Sequence, residues 1–330
     1  MISYPSIDTA NNNKYMKQVN EKDIELFVVT EKIHGTNLSV IINDNELIYA
    51  RREGIIDDYF YNYLYTMQKL EDTYKRIYEY LKSIYNCNSI QIVGEFAGGG
   101  YPHPNASHLF DKNYKLVQQE IYYAPFNFHY VFDIIVDDKY LDYIELQSIC
   151  EAFKLIYAYP LFIGTLEKCL QYPNNTISVL SAYFMKDSII DNNICEGNVI
   201  RPLYESKLNN NDRVIIKHKN EQWSEVKKDI DPILLSKITG EYIDDNTKLL
   251  LEEAIKYITK NRLLNVLSNM NDNAKKNINA VTGKFVSDIV KDFGKDFEEY
   301  NNLDTKQRKY ISTNLNNISA EFIKTNYNNE

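Results

Sequence analysis

Between Ile24 and about Val226 the chain consists mostly of short β-branched and aromatic runs broken by Asn, Asp, Gly and Pro. They are IELFVV (24–29), LSVII (38–42), IQIVGEF (90–96), YVFDIIV (130–136), NVIRP (198–202) and RVIIKHK (213–219). Runs of this length and makeup read as strands. Two stretches among them carry apolar and aromatic residues at helical spacing, Tyr59 to Leu81 and Leu146 to Ile156. Strands with a few long helices and no regular βαβ alternation argue for an α+β fold and against a doubly wound parallel sheet.

Past about residue 232 the texture changes. Leu249, Leu250, Ala254, Ile255, Ile258, Val266 and Leu267 recur at helical spacing behind the capping residues Asp244 and Asp245. Two further segments follow, Phe285-Ile289-Phe293 and Ile311-Leu315-Ile318-Phe322. A chain of 330 residues is long enough for two domains. The reading is therefore residues 1–235 as a mixed domain and 240–330 as a small all-helical one.

The net charge of −9 excludes a generally cationic nucleic-acid binder but not a local basic groove. Cys87, Cys150, Cys169 and Cys195 form no C-x-x-C pair, which points to reduced thiols rather than a zinc ribbon or disulfide framework. The amino terminus MISYPSIDTANNNKYMK lacks an apolar signal core, and no stretch approaches the ~18 apolar residues of a membrane span. The expectation is a soluble, cytoplasmic or otherwise intracellular protein with no membrane partner.

Chemistry concentrates in a few segments. Thr30-Glu31-Lys32-Ile33-His34-Gly35-Thr36-Asn37 brings a lysine out of a strand into a glycine turn. Alone, K-x-x-G is a weak motif, and a turn lysine is commonly just solvated. Other segments join it. Arg51 and Arg52 follow the strand ELIYA, Glu95 precedes a glycine run, Phe132 and Asp133 lie in HYVFDIIV, and Glu196 opens EGNVIRP. In RVIIKHK, period-2 alternation puts Ile215, Lys217 and Lys219 on one strand face and Val214, Ile216 and His218 on the other. Two lysines on one face need an anion between them or solvent around them. His103, His108 and His129 have no metal-ligand spacing.

In sequence order, EKIHGTN (31–37), ARREG (50–54), GEFAGGGY (94–101), FDI (132–134), EGNVIRP (196–202) and VIIKHKN (214–220) resemble the nucleotidyltransferase motifs of covalent polynucleotide ligases. The resemblance is greatest to the RNA ligase 2 family of phage nick-sealing and trypanosome editing ligases. It spans about residues 24–226, and ITKNRLLNVLS (258–268) is similar to that family's C-terminal segment.

The resemblance implies antiparallel sheets around an ATP cleft and a helical domain that helps hold RNA. It implies an ATP-dependent RNA ligase joining a 3′-OH to a 5′-phosphate through a lysyl-AMP and an RNA-adenylate, sealing nicks in duplex RNA. Lys32 would be the nucleophile, with Lys217 and Lys219 around the α-phosphate. Glu31 would read the adenine amino group or be a strand-end acid, and Phe132 would stack on the purine or belong to the core. Arg52 would contact ribose or phosphate, and Glu95 would contact ribose. Arg51 is open to a surface role alone.

By the same resemblance, His34 would face the departing pyrophosphate. Glu196 would organise Mg²⁺ or Mn²⁺, with Asn37 contacting a phosphate or metal-bound water, or capping the turn. The basic run Lys306-Gln307-Arg308-Lys309 would touch RNA phosphates or be solvated helix surface. A DNA ligase or GTP-using capping enzyme is the second reading, although both usually append an OB-fold barrel where this sequence reads helical. A silent RNA-binding protein on a ligase scaffold is the third.

Overall fold

The computed structural model describes residues 4–5, 7–52, 54–56, 60–240, 243–270 and 272–327. It divides into two compact units, residues 1–220 and 221–330.

Among its described residues the first unit holds eleven strands. In chain order they are β1 (Asp8–Thr9), β2 (Phe27–Glu31), β3 (Thr36–Asn43), β4 (Leu47–Arg51), β5 (Gly54–Ile55), β6 (Ser89–Gly98), β7 (Asn127–Val136), β8 (Lys139–Tyr140), β9 (Pro160–Gly164), β10 (Gly197–Pro202) and β11 (Ile216–Lys219). Its helices are α1 (Asn13–Asn20), α2 (Leu64–Met67), α3 (Glu71–Tyr85), α4 (Tyr143–Ala152), α5 (Leu166–Gln171) and α6 (Val179–Phe184). The strands form two sheets, ordered β1-β11-β10-β2-β9 and β5-β4-β3-β6-β7-β8. Every described strand pair is antiparallel except β1 with β11. This is the expected α+β architecture.

Alternation along the strands sorts side chains to two faces of each sheet. Phe27, Val29, Ile200 and Ile216 pack with Tyr15, Met16 and Val19 of α1 and Cys169 of α5. Leu38, Val40, Ile90, Ile92, Ile134 and Val136 pack with Tyr74, Ile77 and Leu81 of α3 and Leu146 and Ile149 of α4. The remaining faces look at each other. Tyr130 on β7 donates its hydroxyl to the Glu31 carbonyl on β2 (3.1 Å), and Arg201 on β10 reaches Asp133 on β7 (2.7 Å).

Two helical expectations are revised. Tyr59 lies outside the described residues. The stretch expected as one helix to Leu81 is instead a short 3-10 turn at Phe60–Asn62, then α2, a second 3-10 turn at Gln68–Leu70, and α3. Tyr61 and Asn62 take positive φ values of 43° and 51°, which breaks a right-handed helix at that point. The helix expected at Leu146 to Ile156 is α4, starting earlier at a capping box of Asp142 and Glu145 and ending before Lys154, whose φ is 56°.

Among its described residues the second unit is helical: α7 (Pro232–Leu235), α8 (Asp245–Ile255), α9 (Lys260–Ser268), α10 (Asp272–Lys275), α11 (Ile278–Asp296), α12 (Glu298–Asn301) and α13 (Thr305–Asn326). Asp244 and Thr259 cap α8 and α9 as their side-chain oxygens accept from Thr247 and Arg262 amides. The apolar stripes meet in one core around Leu251, Ala254, Ile258, Leu263, Phe285, Ile289 and Leu315. Arg262 is buried beside it and pairs with Asp292 (3.0 Å), Asp288 and Glu225 (3.6 Å). No described helix is long and apolar enough to cross a membrane.

Candidate active site

Lys32 leaves β2 with its amide donating to the Gly197 carbonyl at the start of β10 (2.9 Å). Its ammonium meets Glu196 Oε2 at 2.7 Å, while Lys219 Nζ meets Oε1 of the same carboxylate at 2.7 Å and His34 Nδ1 lies 3.7 Å from Oε2. Glu196 is buried. Burial alone would raise its pKa, yet Lys219 and Lys32 outweigh that and hold the carboxyl well below its usual range. Three cationic or protonatable groups therefore share one ionised acid. The pairing of Gly197 with Lys219 and of Val199 with Lys217 puts both lysines on the face of β11 opposite the buried Ile216, as the alternation predicts.

On the facing sheet, Asn37 of β3 is directly opposite Glu95 of β6, so both side chains share one face. Asn37 Oδ1 is buried with no hydrogen-bond partner among the described residues. Burial pushes the Glu95 carboxyl up to about 7, opposed by Lys32 and Arg52, whose charges favour its ionised form. Arg52 is exposed beside this pair, whereas the Arg51 guanidinium sits 3.9 Å over the Phe60 ring.

Glu31 is buried at the end of β2. Its Oε2 accepts from the Val179 and Leu180 amides (2.9 and 3.3 Å) at the start of α6, and Oε1 has no partner among the described residues. Burial lifts its pKa to about 7, and Ser178 and those two amides counter part of the rise. A carboxylate oxygen with an open lone pair suits a donor such as an amino group.

Between Val93 and Gly94 the β6–β7 register shifts, with Val93 opposite Asp133 and Gly94 opposite Val131, so Phe132 is the extra residue of a bulge. Its ring is half-buried and edge-on to Tyr4, 5.2 Å between centroids. Asp133, the other residue quoted from that motif, is structural. It takes bonds from Arg201 (2.7 Å), Arg213 (2.9 Å) and Tyr4, and Arg213 also grips Glu205 (2.6 Å). Arg201 and Arg213 lie inside the quoted runs EGNVIRP and RVIIKHK, but their pairing with Asp133 and Tyr4 is not legible there, because a buried ion network between sheets has no local pattern.

Two of the other histidines are accounted for without a ligand. His129 lies between the Tyr74 hydroxyl and the Leu38 carbonyl, and His103 caps a 3-10 turn by accepting from the Asn105 amide. In the basic run of α13, Arg308 is spent on the Leu303 and Asn301 carbonyls.

A profile of the family described as RNA ligase matches residues 25–219, and one described as T4 RNA ligase 2 C-terminal matches residues 241–321. Similar solved structures include Naegleria gruberi RNA ligase variants, one with ATP and Mn (19% identity, TM-score 0.45) and one with AMP and Mn (18%, 0.42). The same ligase with PPi matches at 18% identity and a TM-score of 0.43. These matches cover 67% of this chain and 57%, 58% and 57% of the solved chains respectively. The chain thus spans little more than half the length of those proteins. With the first profile spanning over half of the sequence and the second lying on the helical unit, the chain belongs to the RNA ligase family, in its RNA ligase 2 branch.

Proposed function

We propose that this protein is an ATP-dependent RNA ligase that joins RNA 3′-OH and 5′-phosphate ends, with nicked duplex RNA as its substrate. The observation that carries the reading is the convergence of Lys32, Lys219 and His34 on the buried Glu196 carboxylate. The Lys32 ammonium gives up a proton to solvent, and Nζ attacks the α-phosphorus of ATP as the free amine. An N–P bond forms as the P–O bond to pyrophosphate breaks. AMP then passes to an RNA 5′-phosphate, restoring the lysine, and the adjacent 3′-OH displaces AMP to make the phosphodiester.

Lys217 and Lys219 face the negative charge that develops on the α-phosphate, where fixed cations lower the barrier. Glu31 receives the adenine amino group on its open oxygen, Phe132 offers its ring face to the base, Arg52 holds ribose or phosphate, and Glu95 holds ribose. His34 lies toward the pyrophosphate side. A divalent cation fits this donor set, since the Asn37 oxygen is buried without a partner and Glu196 supplies an ionised carboxylate. Mg²⁺ or Mn²⁺ held by Glu196, directly or through water, with Asn37 contacting metal-bound water, would supply charge neutralisation for the phosphates. RNA over DNA is selected by A-form shape and 2′-OH contacts, and binding weakens with salt.

The helical second unit, and the profile matched on it, favour this reading over a DNA ligase or capping enzyme. The test is incubation with α-³²P-ATP and Mg²⁺. A labelled protein band, lost in Lys32→Ala and not formed from GTP, is expected. No label with the wild type removes the reading. Nicked RNA, nicked DNA and single-stranded RNA then rank the substrates, nicked RNA first.

A further inference from the structure

The turn that carries Lys32 is gripped by a segment that belongs to none of the motifs. The His34 amide donates to the Tyr123 hydroxyl oxygen at 2.7 Å, and Gln118 Nε2 donates to the next carbonyl, Gly35, at 3.1 Å. Tyr123 is buried, its ring edge-on to Phe128, and Gln118 is half-buried. On the other side, Gly35 lies so close to β6 that an added Cβ would stand 2.5 Å from the Phe96 carbonyl oxygen and 2.8 Å from Glu95 Cγ. The turn is thus held between two jaws, β6 on one side and residues 118–123 on the other.

The second jaw reaches the turn because of the glycine run after Glu95. Gly99 has φ +89°, and an added Cβ would stand 2.0 Å from the Lys115 carbonyl oxygen. With no side chain there, the loop doubles back: Val117 donates to the Gly98 carbonyl (3.1 Å) and Gly100 to the Ala124 carbonyl (3.2 Å). That return places Gln118 and Tyr123 against the lysine turn.

We propose that Tyr123 and Gln118 are positioning residues that hold the Lys32–Gly35 backbone in the geometry needed for attack on the α-phosphorus. Neither acts on ATP itself. The proposal rests on the reading of Lys32 as nucleophile. Its physical basis is that a buried amide or carbonyl left without its partner moves to find one, and a shift of an ångström at a nucleophile is costly in rate.

The experiment measures lysyl-AMP formation by the full-length chain in single turnover with α-³²P-ATP and Mg²⁺. It compares Tyr123→Phe, Gln118→Met, the double variant and Lys32→Ala, each with a thermal melt. Tyr123→Phe keeps the ring and removes the hydroxyl that accepts from His34; Gln118→Met keeps the length and removes the amide that donates to Gly35.

The expected result is a rate at saturating ATP about tenfold lower in Tyr123→Phe, with a smaller fall in Gln118→Met and the ATP concentration at half-maximal rate unchanged. The double variant should fall short of the product of the two effects, since both hold one turn. Wild-type rates in both single variants, well below their melting temperatures, overturn the proposal, as does a shift confined to the half-maximal ATP concentration. Label surviving in Lys32→Ala overturns the underlying reading instead, so the two failures are told apart.

Discussion

At the scale of single residues, the site depends on how far each acid departs from its ordinary titration. Glu31 is lifted by burial to about 7, and its ionised form is the stronger acceptor from an amino group. The KM for ATP in self-adenylylation should therefore fall as pH rises through about 7. Glu95 titrates over the same range, so the comparison with Glu31→Gln isolates the contribution of Glu31. That variant should raise KM about tenfold at pH 8 and lose much of the pH dependence. A KM that Glu31→Gln leaves untouched would assign the acid to capping α6 alone. Gly35 gives a second residue-scale prediction. Alanine there meets the Phe96 carbonyl at 2.5 Å and must displace the turn. Gly35→Ala should slow labelling of the chain by about 100-fold and lower the melting temperature by several degrees.

At the scale of elements, helix ends and buried charges decide how segments are fixed. Short α6 is anchored to β2 because its first two amides are taken by the Glu31 carboxylate. In the helical unit, Arg262 of α9 is buried against three acids, two on α11 and one at Glu225, which together form the compact carboxylate group Glu225, Asp288 and Asp292. A guanidinium neutralises part of this negative charge, so the feature ties helices together and needs no ion to explain it. Replacing Arg262 by Met leaves the acids facing each other. Because Asp288 and Asp292 are partly exposed, solvent absorbs some of the cost, and the loss should be about 2 kcal/mol. Urea unfolding of the whole chain, followed for the helical unit, checks it; a midpoint equal to that of the wild type would show that the cluster contributes nothing to stability. The loop after β6 follows the same logic, since its glycines permit the return that brings Tyr123 to the turn.

At the scale of the whole molecule, the two sheets of the first unit are clipped by the ions around Asp133. Burial alone would raise this carboxyl, but Arg201 and Arg213 prevail and hold it at about 2, below its ordinary 3.8. A depressed carboxyl adds stability that is complete above about 3.8 and is lost as pH falls through about 2. Asp133→Asn should cost about 3 kcal/mol at neutral pH, and the gap from wild type should close as acid approaches pH 2. Urea midpoints measured across that range test the claim; a gap that stays constant with pH would contradict it. What the sequence determined by itself is whatever has a local period or a fixed spacing. The strand runs, the lysine pair on one face of β11, the helical stripes past residue 240 and the ordered motifs around Lys32, Glu95, Glu196 and Lys219 are all of this kind. Only the tertiary structure decided that Lys32 pairs with Glu196, 164 positions away, that Phe132 sits in a bulge against Tyr4, and that Glu31 caps α6. The same holds for the grip of Tyr123 and Gln118 on the turn, 89 and 83 positions from their partners. Such contacts follow from strand register and loop closure, which are settled by packing across the whole unit and leave no periodic trace in the chain.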